Sequence, residues 1–370
     1  MLMTPGPVDL HPRVRKAMSR QVVSHRSSEF HSLVKSITEN TRKIFQTEGD
    51  VFMLTSSGTL AVECALANII EPGDKVLIPV YGVFGKRMSE SAEQYGGRVV
   101  EINLEWNRGL TPEVLEEYLT ENNDVKIVSL VHNETSTGTM VKEFWKISEI
   151  VKDHGKLFIV DAVSSLGGVP IQVDKLGIDI CVTAAQKCLA GPPGISLVSV
   201  SGDAWKKISS KSSKTPSYID LKKHRQFMEK LETPFTPAVN LMYGLDEALK
   251  IIVDKGIENW WRKHYECSRL LYNSLESLGL TIYPLEECRS ITVASALPPN
   301  NIKPKDIVEG MEKNGITIAE GMDKLKDKII RVACMGNVNR RKIEYFRDTL
   351  KKVMENIERH KDSTRKEQKL

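Results

Sequence analysis

From residue 51 onward, short apolar runs alternate with longer stretches in which apolar side chains recur every three or four residues. The short continuous runs read as buried strands at 51–54, 75–79, 98–104, 126–131, 157–160, 178–183 and 195–200. Between them, helical spacing runs over 60–70, 84–95 and 144–154, and a further helix opens at the cap-then-proline pair Thr111-Pro112. Glu71-Pro72-Gly73-Asp74, Gly96-Gly97 and Gly155 stop these helices. Strands alternating with helices of this length predict an α/β fold, a mostly parallel sheet covered by helices on both faces. Ligands in such sheets sit beyond the carboxyl ends of the strands.

The flanking segments have another character. Thr4-Pro5-Gly6-Pro7 cannot be helical, because two prolines restrict the backbone there. Phe30, Leu33, Val34, Ile37, Ile44 and Phe45 follow with helical spacing. Beyond residue 256, Ile257, Trp261, His264, Ser268, Leu271, Leu275 and Leu278 form one amphipathic stripe stopped by Gly279. Shorter segments at 291–294, 306–313, 316–319 and 329–333 precede a last helix from Arg340, predicting a smaller α+β domain. The expected organisation is an arm at 1–19, a large domain at 20–255 and a small domain at 256–370, with a frayed tail at about 359–370.

Composition narrows the classes of function. The 370 residues are 41% apolar and 27% charged, an ordinary globular balance. Lys and Arg total 52 against 48 Asp and Glu, and the signs are interleaved, so no nucleic-acid partner is expected. Six cysteines stand singly with no Cys-x-x-Cys, which argues against a zinc ribbon, and no metal is expected. No apolar run reaches about 18 residues and no signal peptide is visible, so a cytoplasmic protein without a membrane partner is expected.

Candidate chemistry clusters at strand ends. Lys187 follows the strand at 178–183 and sits among small residues before Pro192-Pro193-Gly194. A lysine amine there can form a Schiff base with a carbonyl, as with pyridoxal phosphate, although a lone lysine is usually a solvated surface residue. Ser57-Gly58-Thr59 joins a strand to a helix, where free N–H groups and the helix dipole suit a phosphate. It carries neither the Walker pattern nor a dinucleotide fingerprint. Asp161 ends a buried strand, where a carboxylate needs a partner; it caps the Ser164-Ser165 turn or pairs with a protonated pyridine nitrogen. Phe84, between Gly82 and Gly85, is a ring platform or ordinary core. Arg331, on an apolar strand, snorkels to solvent or clamps a carboxylate.

Taken in order, Thr4-Pro5-Gly6-Pro7, Ser57-Gly58-Thr59, Glu71-Pro72-Gly73-Asp74, Gly82-Val83-Phe84-Gly85, Glu134-Thr135-Ser136-Thr137-Gly138, the run from Asp161 to Gly168, and Gln186-Lys187 before Pro192-Pro193-Gly194 resemble the class V aminotransferases, specifically the alanine–glyoxylate and serine–pyruvate group. The resemblance implies the fold-type-I architecture and pyridoxal 5′-phosphate as cofactor. It implies that Lys187 carries the cofactor as a Schiff base and moves the substrate proton, and that Asp161 pairs with the pyridine nitrogen. Ser57, Gly58, Thr59 and Gln186 would bind the phosphate, helped by Thr236 of the neighbouring subunit, which makes a homodimer with shared active sites. Val163 and Phe84 would pack on the two ring faces and Thr135 would lie near the ring hydroxyl. Arg331, with Gly6 nearby, would take the substrate α-carboxylate. Two positions depart from the pattern: Phe84 stands where some members have tryptophan, and the tyrosine that reaches the phosphate across the dimer is replaced by Thr233 or supplied elsewhere.

The expected activity is transfer of an amino group from serine or alanine to pyruvate or glyoxylate by ping-pong half-reactions. A cysteine desulfurase-like or other lyase of the same fold, an aspartate-type donor, or a binding protein without turnover are the alternatives. Desulfurases usually carry histidine before the lysine, where this chain has Gln186.

Overall fold

The computed structural model describes residues 1–367, with side chains described through residue 360. An N-terminal arm leads to helices α1 (Pro12–Met18) and α2 (Ser28–Phe45). The alternating section then runs β1 (Asp50–Leu54), α3 (Gly58–Ile69), β2 (Lys75–Val80), α4 (Val83–Gln94), β3 (Arg98–Asn103), α5 (Pro112–Glu121) and β4 (Ile127–Val131). A small hairpin of β5 (Asn133–Glu134) and β6 (Thr139–Met140) follows, then α6 (Phe144–Asp153), β7 (Leu157–Asp161), β8 (Ile180–Ala184) and β9 (Ser196–Val200). Three helices come next, α7 (Gly202–Ser210), α8 (Leu221–Met228) and α9 (Val239–Lys255). The rest is α10 (Ile257–Ser277), β10 (Thr281–Ile282), β11 (Val293–Leu297), α11 (Pro304–Lys313), β12 (Ala319–Glu320), β13 (Ile330–Ala333) and α12 (Arg340–Glu367).

The fold is the expected α/β arrangement with a mostly parallel sheet. Seven strands lie in the order β1-β9-β8-β7-β4-β2-β3. The β2–β3, β2–β4, β4–β7 and β7–β8 pairs are parallel. Strand β9 is antiparallel to both neighbours, because the short connection at 185–195 returns it directly beside β8. That connection is the segment carrying Lys187. Both sheet faces are buried, as a parallel sheet requires. Val128, Leu130, Phe158 and Val160 point into one core with α2, α5, α6 and α9. Their alternates Ile127, Val131 and Ile159 point into a second core with α3 and α7. A third core gathers Leu271, Ile307, Val332, Phe346 and Leu350 around the four-stranded sheet β10-β11-β13-β12.

Some of this was not legible in the alternating pattern. Helices α1, α7, α8 and α9 fall where no element is read from the sequence. In α9 the buried residues Met242, Leu245, Leu249 and Ile252 do keep helical spacing, but Gly244 interrupts the run. The arm is also more than an extended lead: Met3 donates to Thr317 at 2.8 Å and accepts from Ala333 at 2.7 Å, which fastens it beside β13. The tail expected to fray from about 359 overlaps the last turns of α12, and residues 368–370 lie outside the described residues.

Candidate active site

Strand register brings the candidate residues to one end of the sheet. Asp161, the last residue of β7, lies level with Val131 on β4 and Val182 on β8. The chain leaves β4 into Asn133 and Thr135, leaves β8 into Gln186 and Lys187, and leaves β1 into Ser57. All of these leave from carboxyl ends of strands that run in one direction, where an open α/β sheet forms its crevice. The crevice encloses about 170 Å³ and is lined by Ser57, Gly58, Thr59, Phe84, Thr135, Asp161, Val163, Gln186 and Lys187. Of the sequence candidates, Gly6, Arg331 and Thr236 do not line it directly.

The floor holds a buried acid opposite a partly buried amine. Asp161 is buried, and its Oδ1 accepts the Val163 N–H at 2.8 Å. Burial pushes its carboxyl up to about 7; the Val163 hydrogen bond opposes this, Glu134 adds to it, and Lys187 pulls the other way. Of the two roles the sequence leaves open for Asp161, Oδ1 serves the local one, through Val163 at the start of the turn that Ser165 N–H closes on the Ala162 carbonyl; no bond runs from Asp161 to Ser164 or Ser165 themselves. Burial lowers the Lys187 ammonium to about 8, with Arg331 adding to the fall and Cys188 and Asp161 opposing it. Lys187 Nζ donates to the Pro5 carbonyl of the arm. A Cβ on the next residue, Gly6, would lie 2.7 Å from Lys187 Cδ and 2.8 Å from Nζ, and its φ of +95° is unfavourable for other residues. Glycine is therefore required for the arm to cross the lysine.

The mouth is built from helix N-termini and ring faces. Ser57 precedes α3 in extended conformation, and its side chain makes no capping bond, so the first N–H groups of α3 stay available to an anion. A Cβ on Gly58 would approach Val163 Cγ2 at 3.0 Å and Ala184 Cβ at 3.3 Å, which keeps the turn tight against the sheet. Phe84 lies in the first turn of α4 and lines the cavity, with the Arg87 guanidinium 5.2 Å from its ring centroid.

Arg331 stands on β13, outside the lining but fixed toward it. Its Nη1 donates to the Thr135 carbonyl at 3.1 Å and its Nε to the Glu320 carbonyl at 2.8 Å. Burial lowers its pKa to about 10, opposed by the Glu134 charge. It does not snorkel: it is 8% exposed, so the solvent-facing alternative fails. Thr236 is exposed on the loop before α9, away from the cavity of its own chain. Several lining residues have no counterpart among the sequence candidates: Asn133, Val62, Arg87, Met88 and Ser91. Asn133 directly precedes the Glu134-Thr135 motif, and a polar residue at a buried strand end was the signal available for it.

The sequence model described as aminotransferase class-V matches residues 13–340. The chain belongs to the class V aminotransferase family. An uncharacterised aminotransferase of Methanocaldococcus jannaschii is 42% identical over 91% of this chain and 88% of the relative. The alanine–glyoxylate aminotransferase of Callithrix jacchus is 33% identical over 98% of this chain and 89% of its own length. The crystal structure of an alanine–glyoxylate aminotransferase from Nostoc sp. superposes with a TM-score of 0.91 at 32% identity, covering 95% of this chain and 94% of that one.

Class V aminotransferases depend on pyridoxal 5′-phosphate, and the residues present fit that group. Two buried polar atoms, Gln186 Oε1 and Asn133 Oδ1, have no protein partner among the described residues although both residues line the cavity. Orphans of this kind are costly unless a ligand supplies the missing donor. The uncapped α3 N-terminus suits the phosphate, and the strongly perturbed Asp161 suits a cationic ring nitrogen. Among the described residues no cluster of three or more His, Cys, Asp or Glu could hold a metal. No described helix is long and apolar enough to cross a membrane.

Proposed function

We propose that the protein is a pyridoxal-phosphate aminotransferase that passes an amino group from a small amino acid, serine or alanine, to pyruvate or glyoxylate in ping-pong half-reactions. The observation that carries this reading is the pairing of Lys187 and Asp161 in one cavity, with buried Arg331 held toward it by Thr135. The alanine–glyoxylate activity of the relatives supports the substrate class.

Lys187 would hold the cofactor covalently, and its amine would carry the proton at the substrate α-carbon. Bound pyridoxal phosphate supplies an electron sink for the charge that develops at that carbon. Its lowered pKa near 8 leaves Lys187 a usable share of neutral amine near neutral pH, which a general base requires. Asp161 would pair with the ring nitrogen and keep it protonated. Ser57, Gly58, Thr59 and Gln186 would bind the phosphate, Phe84 and Val163 would enclose the ring, and Thr135 and Asn133 would hold its hydroxyl. Arg331 binds the substrate α-carboxylate, a bidentate task for which guanidinium is suited. Gly6 leaves room beside Lys187. Thr236, exposed in its own chain, completes the phosphate site of a second copy in a homodimer. We also place the domain boundary at Gly256, between α9 and α10.

A desulfurase-like lyase finds no support. Among the described residues no cysteine lines the cavity, and Cys334 is buried with its thiol 3.7 Å from the His264 carbonyl.

A panel of amino donors, serine, alanine and aspartate, assayed against pyruvate and glyoxylate tests the substrate reading. Serine or alanine should give the highest kcat/KM; a clear preference for aspartate would overturn it. Lys187→Ala is the control for the reaction type. It should lose transamination and the visible Schiff-base absorbance, and appreciable turnover in that variant would sink the assignment.

A further inference from the structure

Glu134 is fully buried, yet nothing in the reaction uses it. Its Oε2 accepts the backbone N–H groups of Phe84 and Gly85, both at 3.0 Å. Its Oε1 accepts the Ser136 N–H at 3.0 Å and the Ser136 hydroxyl at 2.5 Å. The Ser136 oxygen in turn accepts the Val83 N–H at 3.0 Å. Three successive N–H groups at the start of α4 are therefore satisfied by one two-residue device on the β5 turn. No residue of α4 itself caps this end: Gly82 precedes the helix and offers no side chain. A Cβ on Gly82 would collide with the Glu134 side chain, so the glycine is the space the carboxylate occupies.

All four groups that meet the two Glu134 oxygens are donors, which suits an ionised carboxylate at a helix N-terminus. Burial raises its pKa, and the Ser136, Gly85 and Phe84 hydrogen bonds pull it back. The nearby Arg331 guanidinium feels the same charge. An ionised group so placed is stable only while those donors stay fixed, so it fixes them in return.

From this geometry we infer that Glu134 is a positioning residue for the cofactor: it locks the first turn of α4 so that Phe84 presents its ring to the cavity. The inference rests on the reading of Phe84 as a ring platform. It concerns cofactor retention rather than chemistry, because Glu134 does not line the cavity.

The test is a double-mutant cycle on pyridoxal-phosphate dissociation, measured by titrating cofactor-free protein and following its absorbance and tryptophan fluorescence. Glu134→Gln replaces one acceptor oxygen by a donor, opposing either the α4 pair or the Ser136 pair. In the parent it should weaken cofactor binding by about tenfold or more, the scale of losing hydrogen bonds to a charged group. Phe84→Leu removes the ring while keeping bulk, and should weaken binding by itself. In the Phe84→Leu background, Glu134→Gln should then add less than about twofold, because its route of action is gone. Equal effects in both backgrounds would overturn the inference and leave the platform reading intact. No effect of Phe84→Leu would instead remove the platform reading, and the inference with it. Melting of the cofactor-free variants separates a general loss of stability from this route. If Glu134→Gln does not fold, Ser136→Ala removes two of the same hydrogen bonds and enters the same cycle with the same expected outcomes.

Discussion

Asp161 should weaken the cofactor-free protein that it later equips for work. Its carboxyl sits at about 7 rather than the ordinary 3.8, chiefly because burial penalises the charged form. Between those values the folded protein holds a proton that the unfolded chain has lost, so stability falls as pH rises through the window. Above about pH 7 the full cost applies, about 4 kcal/mol at roughly 1.4 kcal/mol for each pH unit. Asp161→Asn removes the titration while its side-chain oxygen can still accept the Val163 N–H. The new amide hydrogens lack partners in the cofactor-free cavity, which costs about 1–2 kcal/mol. The net expectation at pH 8 is a cofactor-free variant about 2–3 kcal/mol more stable than the parent, with the advantage at least halved at pH 5. Urea unfolding of both proteins at the two pH values, with cofactor removed, measures this. Added pyridoxal phosphate should narrow or reverse the order, since only the parent offers a charge to the ring nitrogen. A variant no more stable than the parent at pH 8, or one with the same advantage at both pH values, refutes the reasoning.

Two further outcomes follow from the geometry around the amine and the guanidinium. Arg331→Ala should raise KM for amino and oxo acids by roughly 30-fold or more, the scale of a lost charge-assisted bidentate pair, with cofactor retention near that of the parent; steady-state kinetics beside a cofactor titration decide it, and a fall in retention alone would remove Arg331 from the substrate site. Gly6→Ala should lower activity while leaving the melting temperature of the sheet domain largely intact, because the added Cβ would sit 2.7 Å from Lys187 Cδ at a backbone φ of +95°; unchanged kcat/KM would show that the arm does not constrain the lysine.

The alternating pattern carried the large sheet because its central strands, β4, β8 and β9 among them, are buried on both faces and so are mostly apolar. It also carried the site wherever a functional residue ends such a strand: Asp161 ends β7, Ser57 follows β1, and Gln186-Lys187 follow β8. What stayed hidden depends on contacts between segments distant in the chain. Nothing near Gly6 in sequence says that the arm crosses Lys187, since that approach is set by Met3 joining Thr317 and Ala333 more than 300 residues away. Nothing near Gly82 announces Glu134, 52 positions later, as the group that fills the missing side chain's space. Asn133 is not legible as a site residue locally, because its orphaned oxygen exists only once Ser164 and Thr292 have taken its amide hydrogens. The pattern is physical. A residue whose role follows from the end of a strand can be read locally, whereas one whose role is to leave space, or to be left without a partner, is defined by what the rest of the chain brings to it. The arm glycine, the α4 glycine and the orphaned amide are all of the second kind: the first lies against Lys187, the second gives Glu134 its space, and the third shares the lysine's cavity.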